Sequence, residues 1–446
     1  MQLTKSGSIA AALAGATCAL LGHSPAVQAQ DALKDWKFDT AILLYSEVDR
    51  VSLAEGVINA SKTFNDDSVF NAKIALDGLT GASANGAVSQ PNAQTFSGPS
   101  GNGSYNTPAN TVPLDETFKD TRVQVSGSYL QPFGDSWRAT VGGNVSSEYD
   151  YLSIGANGLI EKDLYQRNTT ISTGLSLQFD TIKPVGGVPT PLASMSASAN
   201  SYDDDDYTTL VSNQGVYEDD EHDDDDGGHG EASTDNKTTV DFILGVTQIV
   251  NRRMLMQVNL SLSQVSGYMT DPYKVLSVVN TQGLTQDVVY EGRPDSRTKQ
   301  SIYWQTKYAL DNGVADVSYR YATDDWNLTS HTIDSRLRMN FGESSYLQPH
   351  VRYYQQSAAE FYRPFLLEGE ALPAYASADY RVGEMTAFTL GLKYGQKLEN
   401  DKEWAVRVEY YQQNPKNAGY DEPGLLKEQE LYPSIKAMMV QFNYHF

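Results

Sequence analysis

From Trp36 onward the chain repeats one pattern, with apolar side chains at every second position and polar ones between them. In "RVQVSGSY", Val123, Val125 and Tyr129 alternate with Arg122, Gln124, Ser126 and Ser128. "TTISTGLSLQFD" puts Ile171, Leu175, Leu177 and Phe179 on one parity and Thr170, Ser172, Ser176 and Gln178 on the other. "WAVRVEYY" does the same with Trp404, Val406, Val408 and Tyr410 against Ala405, Arg407 and Glu409. A period of two is that of an extended strand with one apolar and one polar face. Sixteen such segments are predicted, at 36–47, 51–64, 69–79, 117–131, 137–147, 152–164, 169–179, 238–249, 254–266, 297–310, 314–323, 326–340, 346–356, 384–397, 403–413 and 434–446.

The connections carry as much information as the strands. Starting after the second strand, every other connection is tiny ("NDDS", "PFGDS", "YQRN", "NRR", "DNG", "FGESS", "ENDK"), and most of these hold Asn, Asp or Gly, the turn formers. The long connections, 80–116, 180–237, 267–296, 357–383 and 414–433, fall between them. Short turns on one rim and long loops on the other describe an all-β fold, a transmembrane antiparallel up-and-down β-barrel. An even strand count leaves both termini on the short-turn, periplasmic side. Phe64, Phe70, Phe133, Trp137, Tyr165, Phe341, Tyr346, Trp404, Tyr444 and Phe446 sit beside short turns or at the end, where an aromatic girdle is expected. A soluble sandwich or propeller would also alternate. Against it stand strands longer than the soluble mean of about 5–6 residues, the lack of a blade-like repeat, and a polar face that is charged.

The last segment, "KAMMVQFNYHF", alternates to its final residue. In lipid every backbone N–H and C=O has to be paired, so the sheet must close and the last strand must meet the first. A mean hydropathy of −0.44 excludes a bundle of apolar helices but not a barrel, whose lipid face uses only every second residue. A net charge of −23 argues against nucleic acid as a partner. At the N-terminus, Lys5, the apolar run Ile9 to Leu21 and "PAVQA" predict a signal peptide over 1–29, cleaved after Ala29, with the barrel over 30–446. Thr17, bulkier than the residue a lipoprotein signal places there, argues against lipidation of Cys18. Cys18 is the only cysteine, so the mature chain has neither disulfides nor thiol chemistry.

Several stretches carry a resemblance: "AILLYSEVDRVS", "LDGLTGASANGA", "GGNVSSEYDYLSIGAN", "DTIKPVGGVP", "SGYMTDPYKVLSVV", "SYRYATDDW" and "LQPHVRYYQQSAAEFYRPFLL". Together they resemble an uncharacterised family of exported Gram-negative proteins, a domain of unknown function regarded as an outer-membrane β-barrel. The resemblance implies that fold and an outer-membrane location, and supplies no catalytic residues. Members tend to be encoded near exported flavin-transferring and thioredoxin-like proteins, which implies such proteins as partners by association alone. The aromatic end at Phe446 also resembles the C-terminal signal read by the barrel-assembly machinery.

Two constellations could carry chemistry. The loop 180–237 holds an acidic run with Asp203, Asp204, Asp205, Asp206, His222, Asp223, Asp224, Asp225, Asp226 and His229. Oxygen-rich clusters suit Ca²⁺ or another divalent cation, and His with carboxylates suits a transition metal. The spacing fits neither an EF-hand nor a zinc pattern, and a run of like charge is ordinarily a solvated segment. The expectation is no cofactor beyond weakly held divalent cations. The second constellation is Lys299, Lys307, Asp316, Arg320, Asp334, Arg336, Arg338, His350, Arg352, Arg407 and Glu409, all on the polar parity and expected to line the lumen. Opposed charges there either filter solutes or knit into salt bridges that block the interior. His331 and Ser330 are adjacent, so a strand sends them to opposite faces and they cannot act as base and nucleophile. The chain is therefore not expected to be an enzyme. "GPSGNGS" lacks the helix and Lys-Ser/Thr of a phosphate loop and reads as a flexible outer loop. With the first strand at Trp36 there is no room for a folded plug. The reading is a porin-like channel with a charged lumen. The alternative is a non-conducting docking barrel for an exported redox or metal-handling complex.

Overall fold

The computed structural model describes residues 35–97, 104–195 and 234–446. The predicted signal peptide, the residues 98–103 of "GPSGNGS" and the acidic cluster from Asp203 to His229 lie outside the described residues. Among those described, no helix is long and apolar enough to cross a membrane.

Sixteen strands close into an antiparallel barrel. The first half comprises β1 (Trp36–Glu47), β2 (Ser52–Thr63), β3 (Val69–Ala84), β6 (Leu114–Phe133), β7 (Trp137–Ser147), β8 (Tyr151–Leu164), β9 (Thr169–Ile182) and β10 (Asp235–Asn251). The second comprises β11 (Met254–Gly267), β14 (Ser296–Leu310), β15 (Gly313–Asp324), β16 (Thr329–Phe341), β17 (Ser345–Gln356), β19 (Met385–Lys397), β20 (Glu403–Pro415) and β21 (Ile435–His445). All sixteen predicted segments are there, several of them longer at the long-loop end; β3 runs to Ala84 and β9 to Ile182.

The seam pairs β1 with β21 from Asp39↔His445 to Glu47↔Ala437. Phe38 N donates to Phe446 O at 2.9 Å and Phe446 N to Phe38 O at 3.0 Å, so the final residue completes the ladder. Phe446 stacks on Phe38 and on Tyr444, with centroids 5.4 and 5.3 Å away. The outward parity carries an aliphatic belt that no protein covers: Val141 is 61% exposed, Val351 52% and Leu390 51%. A contiguous apolar belt of this kind is stable only against hydrocarbon.

Tyr346 corrects the girdle expected at the short-turn rim. It is buried and faces inward, donating to Glu403 Oε1 at 2.6 Å. Phe64, Phe133, Trp137, Tyr165, Phe341 and Phe446 are exposed at that rim.

The described parts of the long loops are not loose connections. They contain five further strands: β4 (Gln94–Ser97), β5 (Ser104–Thr107), β12 (Val275–Val279), β13 (Thr285–Tyr290) and β18 (Leu366–Leu367). Strands β4 and β5 form a hairpin, and β13, β12 and β18 a three-stranded sheet. Backbone bonds stitch the segments together: Val275 N to Asn85 O at 2.9 Å, Glu368 N to Val279 O at 2.8 Å and Leu425 N to Gln282 O at 3.0 Å. Apolar side chains from four loops meet in small cores, such as Val88, Val279, Phe365 and Leu426. Leu276, Val289, Leu366 and Ala376 make another. The result is a folded cap on the long-loop rim. Its buried apolar clusters do what the barrel wall leaves to lipid.

Candidate functional site: the charged lumen

Register fixes which side chains enter the barrel. On β15, Val317 and Tyr319 face out, so Asp316, Ser318 and Arg320 face in; β16 and β17 continue the inward rows with Asp334, Arg336, Arg338, His350 and Arg352. Arg407 and Glu409 belong to the inward parity of β20, and Lys299 and Lys307 to that of β14.

These residues form two sets. The first is a closed network nearer the short-turn rim. His350 Nε2 lies 2.9 Å from Asp334 Oδ2, and His350 Nδ1 lies 2.8 Å from Glu409 Oε1. Arg336 Nε is 3.3 Å from Asp334 Oδ1, and Arg407 Nε 3.9 Å from Glu409 Oε1. His350 and Glu409 sit on strands separated by β19, and the residue between them in register is Gly391. A Cβ there would stand 2.8 Å from Glu409 Cγ, so the bare glycine lets the carboxylate reach across. Gly395 does the same two inward positions further along β19, where the Tyr346 ring lies across it and the Arg338 guanidinium stacks 3.6 Å from the ring centroid. Lys307 pairs with Asp316 at 3.8 Å, and Gln305 Nε2 donates to Asp316 at 2.8 Å.

The second set borders open space. A cavity of about 1010 Å³ lies against the inner wall from β8 to β17, lined by Lys299, Arg320 and Arg352 and by Asp316, Asp334 and Arg336 from the edge of the first network. Arg297, which also lines it, donates from Nε to Asp324 Oδ2 at 2.8 Å. In the first half, Asp163, Asp77 and Asp180 are neutralised locally. Arg138 Nη1 meets Asp163 Oδ2 at 2.5 Å, Arg122 meets Asp77 at 2.7 Å and Lys237 meets Asp180 at 3.3 Å.

A third group joins the cap to the lumen. The Asp379 side chain has no exposure and accepts from Arg293 Nη2 at 2.7 Å and Arg381 Nε at 2.6 Å. Burial works against its charge, but the Arg381 and Arg293 guanidiniums outweigh it and hold the carboxyl well below the usual carboxylate range. Glu291, equally buried, accepts from Ser377 Oγ at 2.5 Å and Asp271 N at 2.7 Å. Arg381 lines both the lumen cavity and a second cavity of about 460 Å³ at the rim, beside Glu148, Asp150 and Tyr273. Burial and the neighbouring Asp120 carboxylate push the Glu148 carboxyl up to about 7. The sequence pattern did not point to this group, because its members come from loops up to 110 residues apart and share no periodicity. Arg297 and Tyr346 were legible in principle, since each shares the inward parity of its strand.

Among the described residues, no group of three or more His, Cys, Asp or Glu side chains could hold a metal ion. Ser330 lines the lumen cavity, whereas His331 Nδ1 lies 2.7 Å from the Tyr319 hydroxyl on the outer face.

The family described as "Protein of unknown function (DUF3570)" matches residues 10–446. No curated protein matches the chain by sequence. Among solved structures it is similar to a bacterial polysaccharide outer membrane secretin, at 7% identity and a TM-score of 0.43 over 92% of this chain and 98% of that one. It is also similar to OccD3 (OpdP) of Pseudomonas aeruginosa, at 9% identity and 0.39 over 92% and 91%. CdiB from Acinetobacter baumannii matches at 7% and 0.43, and there the chain spans only 60% of the other protein. The assignment as an outer-membrane β-barrel rests on the closed strand pairing and the apolar belt.

Proposed function

Since this chain belongs to DUF3570, a family of proteins of unknown function, and encloses a cavity with a charged lining, we propose that it is a porin-like channel for small solutes. The observation that carries this reading is the lumen cavity, bordered by cationic side chains that point into open space. A fixed field inside a low-dielectric cylinder selects solutes by charge without a conformational step. In this reading the short turns and both termini face the periplasm, the cap faces outward, and outer-membrane lipid meets the belt. The strand ending at Phe446 is then the segment offered to the assembly machinery.

The test is planar-bilayer recording of the purified protein. Discrete unitary conductance is expected, and its absence both in the full chain and after deletion of 198–233 would remove the channel reading.

A second reading draws on the cap. Its buried clusters give the long-loop rim a rigid surface, which suits a docking barrel for exported flavin-transferring or thioredoxin-like partners. The acidic segment would then bind divalent cations. Recovery of such a partner with the detergent-solubilised protein, together with silent bilayers, would favour it.

A further inference from the structure

The charges around the lumen cavity do not cancel. Arg297 is taken by Asp324, Arg336 by Asp334, and Arg381 by Asp271 and Asp379. Asp316 is held by Lys307 and Gln305. That leaves Lys299, Arg320 and Arg352, which form no ion pair among the described residues, against the single carboxylate of Asp241. Arg320 and Arg352 are exposed although they point into the barrel, so their guanidiniums are open to the lumen.

The stretch of wall formed by β8 to β10 departs from its own pattern. Inward positions on β8 to β10 are mostly polar, yet Leu159 and Ile243 share the inward parity with Asn157 and Asp241 and line the same cavity. Between them in register lies Gly174. A Cβ at Gly174 would stand 3.1 Å from both Ile243 Cγ2 and Leu159 Cδ1, so the two aliphatic groups close over the glycine into one patch. Ile243 is 37% exposed, an apolar surface offered to the lumen and not to lipid.

We propose that this cavity binds small organic anions that join an apolar body to a carboxylate. The carboxylate is held by Arg320 and Arg352, with Lys299 adding positive potential, and the body lies on Leu159 and Ile243. Guanidinium matches a carboxylate in charge and geometry. An aliphatic patch alone would take any apolar solute and guanidinium alone any anion, so the two features together define the class. The inference rests on the channel reading for its role in transport, but the binding site stands by itself.

Calorimetry on the detergent-solubilised full chain tests the site with benzoate as probe, against acetate for the missing ring and benzamide for the missing charge. Benzoate is expected to bind at least about tenfold more tightly than either, a difference of one good contact. Arg320→Gln with Arg352→Gln should remove the advantage over benzamide, and Ile243→Ser the advantage over acetate. Each variant is first checked for the heat-modifiable gel mobility of a closed barrel. Equal binding of benzoate and acetate, equal binding of benzoate and benzamide, or no benzoate binding at all overturns the proposal. Bilayer recording separates it from the channel reading. Conductance without benzoate discrimination sinks the site alone, and benzoate binding without conductance sinks the channel alone.

Discussion

Glu148 stands where β7 leaves the barrel, half-buried and facing the Asp120 carboxylate beside the rim cavity. Its proton affinity follows from that position. In the folded protein the carboxyl titrates at about 7, raised from an ordinary value of 4.5 first by burial and then by Asp120. Between those two values the folded chain holds a proton that the unfolded chain has released. Stability therefore falls as pH rises through this window and levels off above it. Denaturation midpoints measured at pH 5, 6, 7 and 8 should decline across the series and then flatten. Glu148→Gln should shrink the decline. The change will be smaller than the displacement alone suggests, because the group is still partly open to water. An unchanged slope in the variant would assign the pH dependence elsewhere.

Among the elements, barrel strands and cap strands differ in how the sequence encodes them. A strand between lipid and water has its parity enforced along its whole length, so β7 (Trp137–Ser147) and β1 (Trp36–Glu47) were read to the residue. A cap strand such as "VLSVV" in β12 is buried on both sides and shows no alternation. Its parallel partner, Leu366–Leu367, lies far along the chain and is two residues long. Nothing in either stretch announces the pairing. The cap also depends on a charge network that sequence spacing hides, with Asp379 at its centre. Asp379→Asn would leave the buried Arg293 with Glu291 alone and the half-exposed Arg381 with Asp271 alone, a loss below the roughly 3–5 kcal/mol of a buried pair broken outright. The loss should stay in the cap. Hydrogen exchange is expected to accelerate in 357–384 and 270–295, while the barrel keeps its heat-modifiable mobility. Equal acceleration in β1 and β21 would mean that cap and wall unfold as one unit.

At the scale of the whole molecule, the deciding fact is that inside and outside are set by parity in one closed sheet. The lumen set was legible for the same reason: once Val317 and Val351 face lipid, Asp316, Arg320 and Arg352 have nowhere else to go. Parity gives the face but not the partner. It did not reveal that His350 bridges two carboxylates, or that Arg320 and Arg352 form no ion pair among the described residues, because those outcomes depend on side-chain reach across Gly391 and into open space. One pair of neighbours tests the assignment directly. Val408 faces out at 41% exposure between Leu392 and Val440, and Arg407 faces in. Val408→Arg should weaken folding into lipid vesicles by roughly 2–4 kcal/mol if it lies near the midplane. Arg407→Ala should cost far less. Equal losses would mean that the faces are exchanged.

The cap has a consequence for anything that meets the long-loop rim. Its surface is assembled from stretches around residues 85, 280, 367 and 425, held in place by main-chain bonds between them. A binder raised against any one of these stretches as a free peptide would meet a shape that the folded protein does not display. Sera against short peptides should therefore stain denatured material and miss the purified folded barrel, whereas a binder selected on the folded barrel should lose its target when Asp379 is replaced.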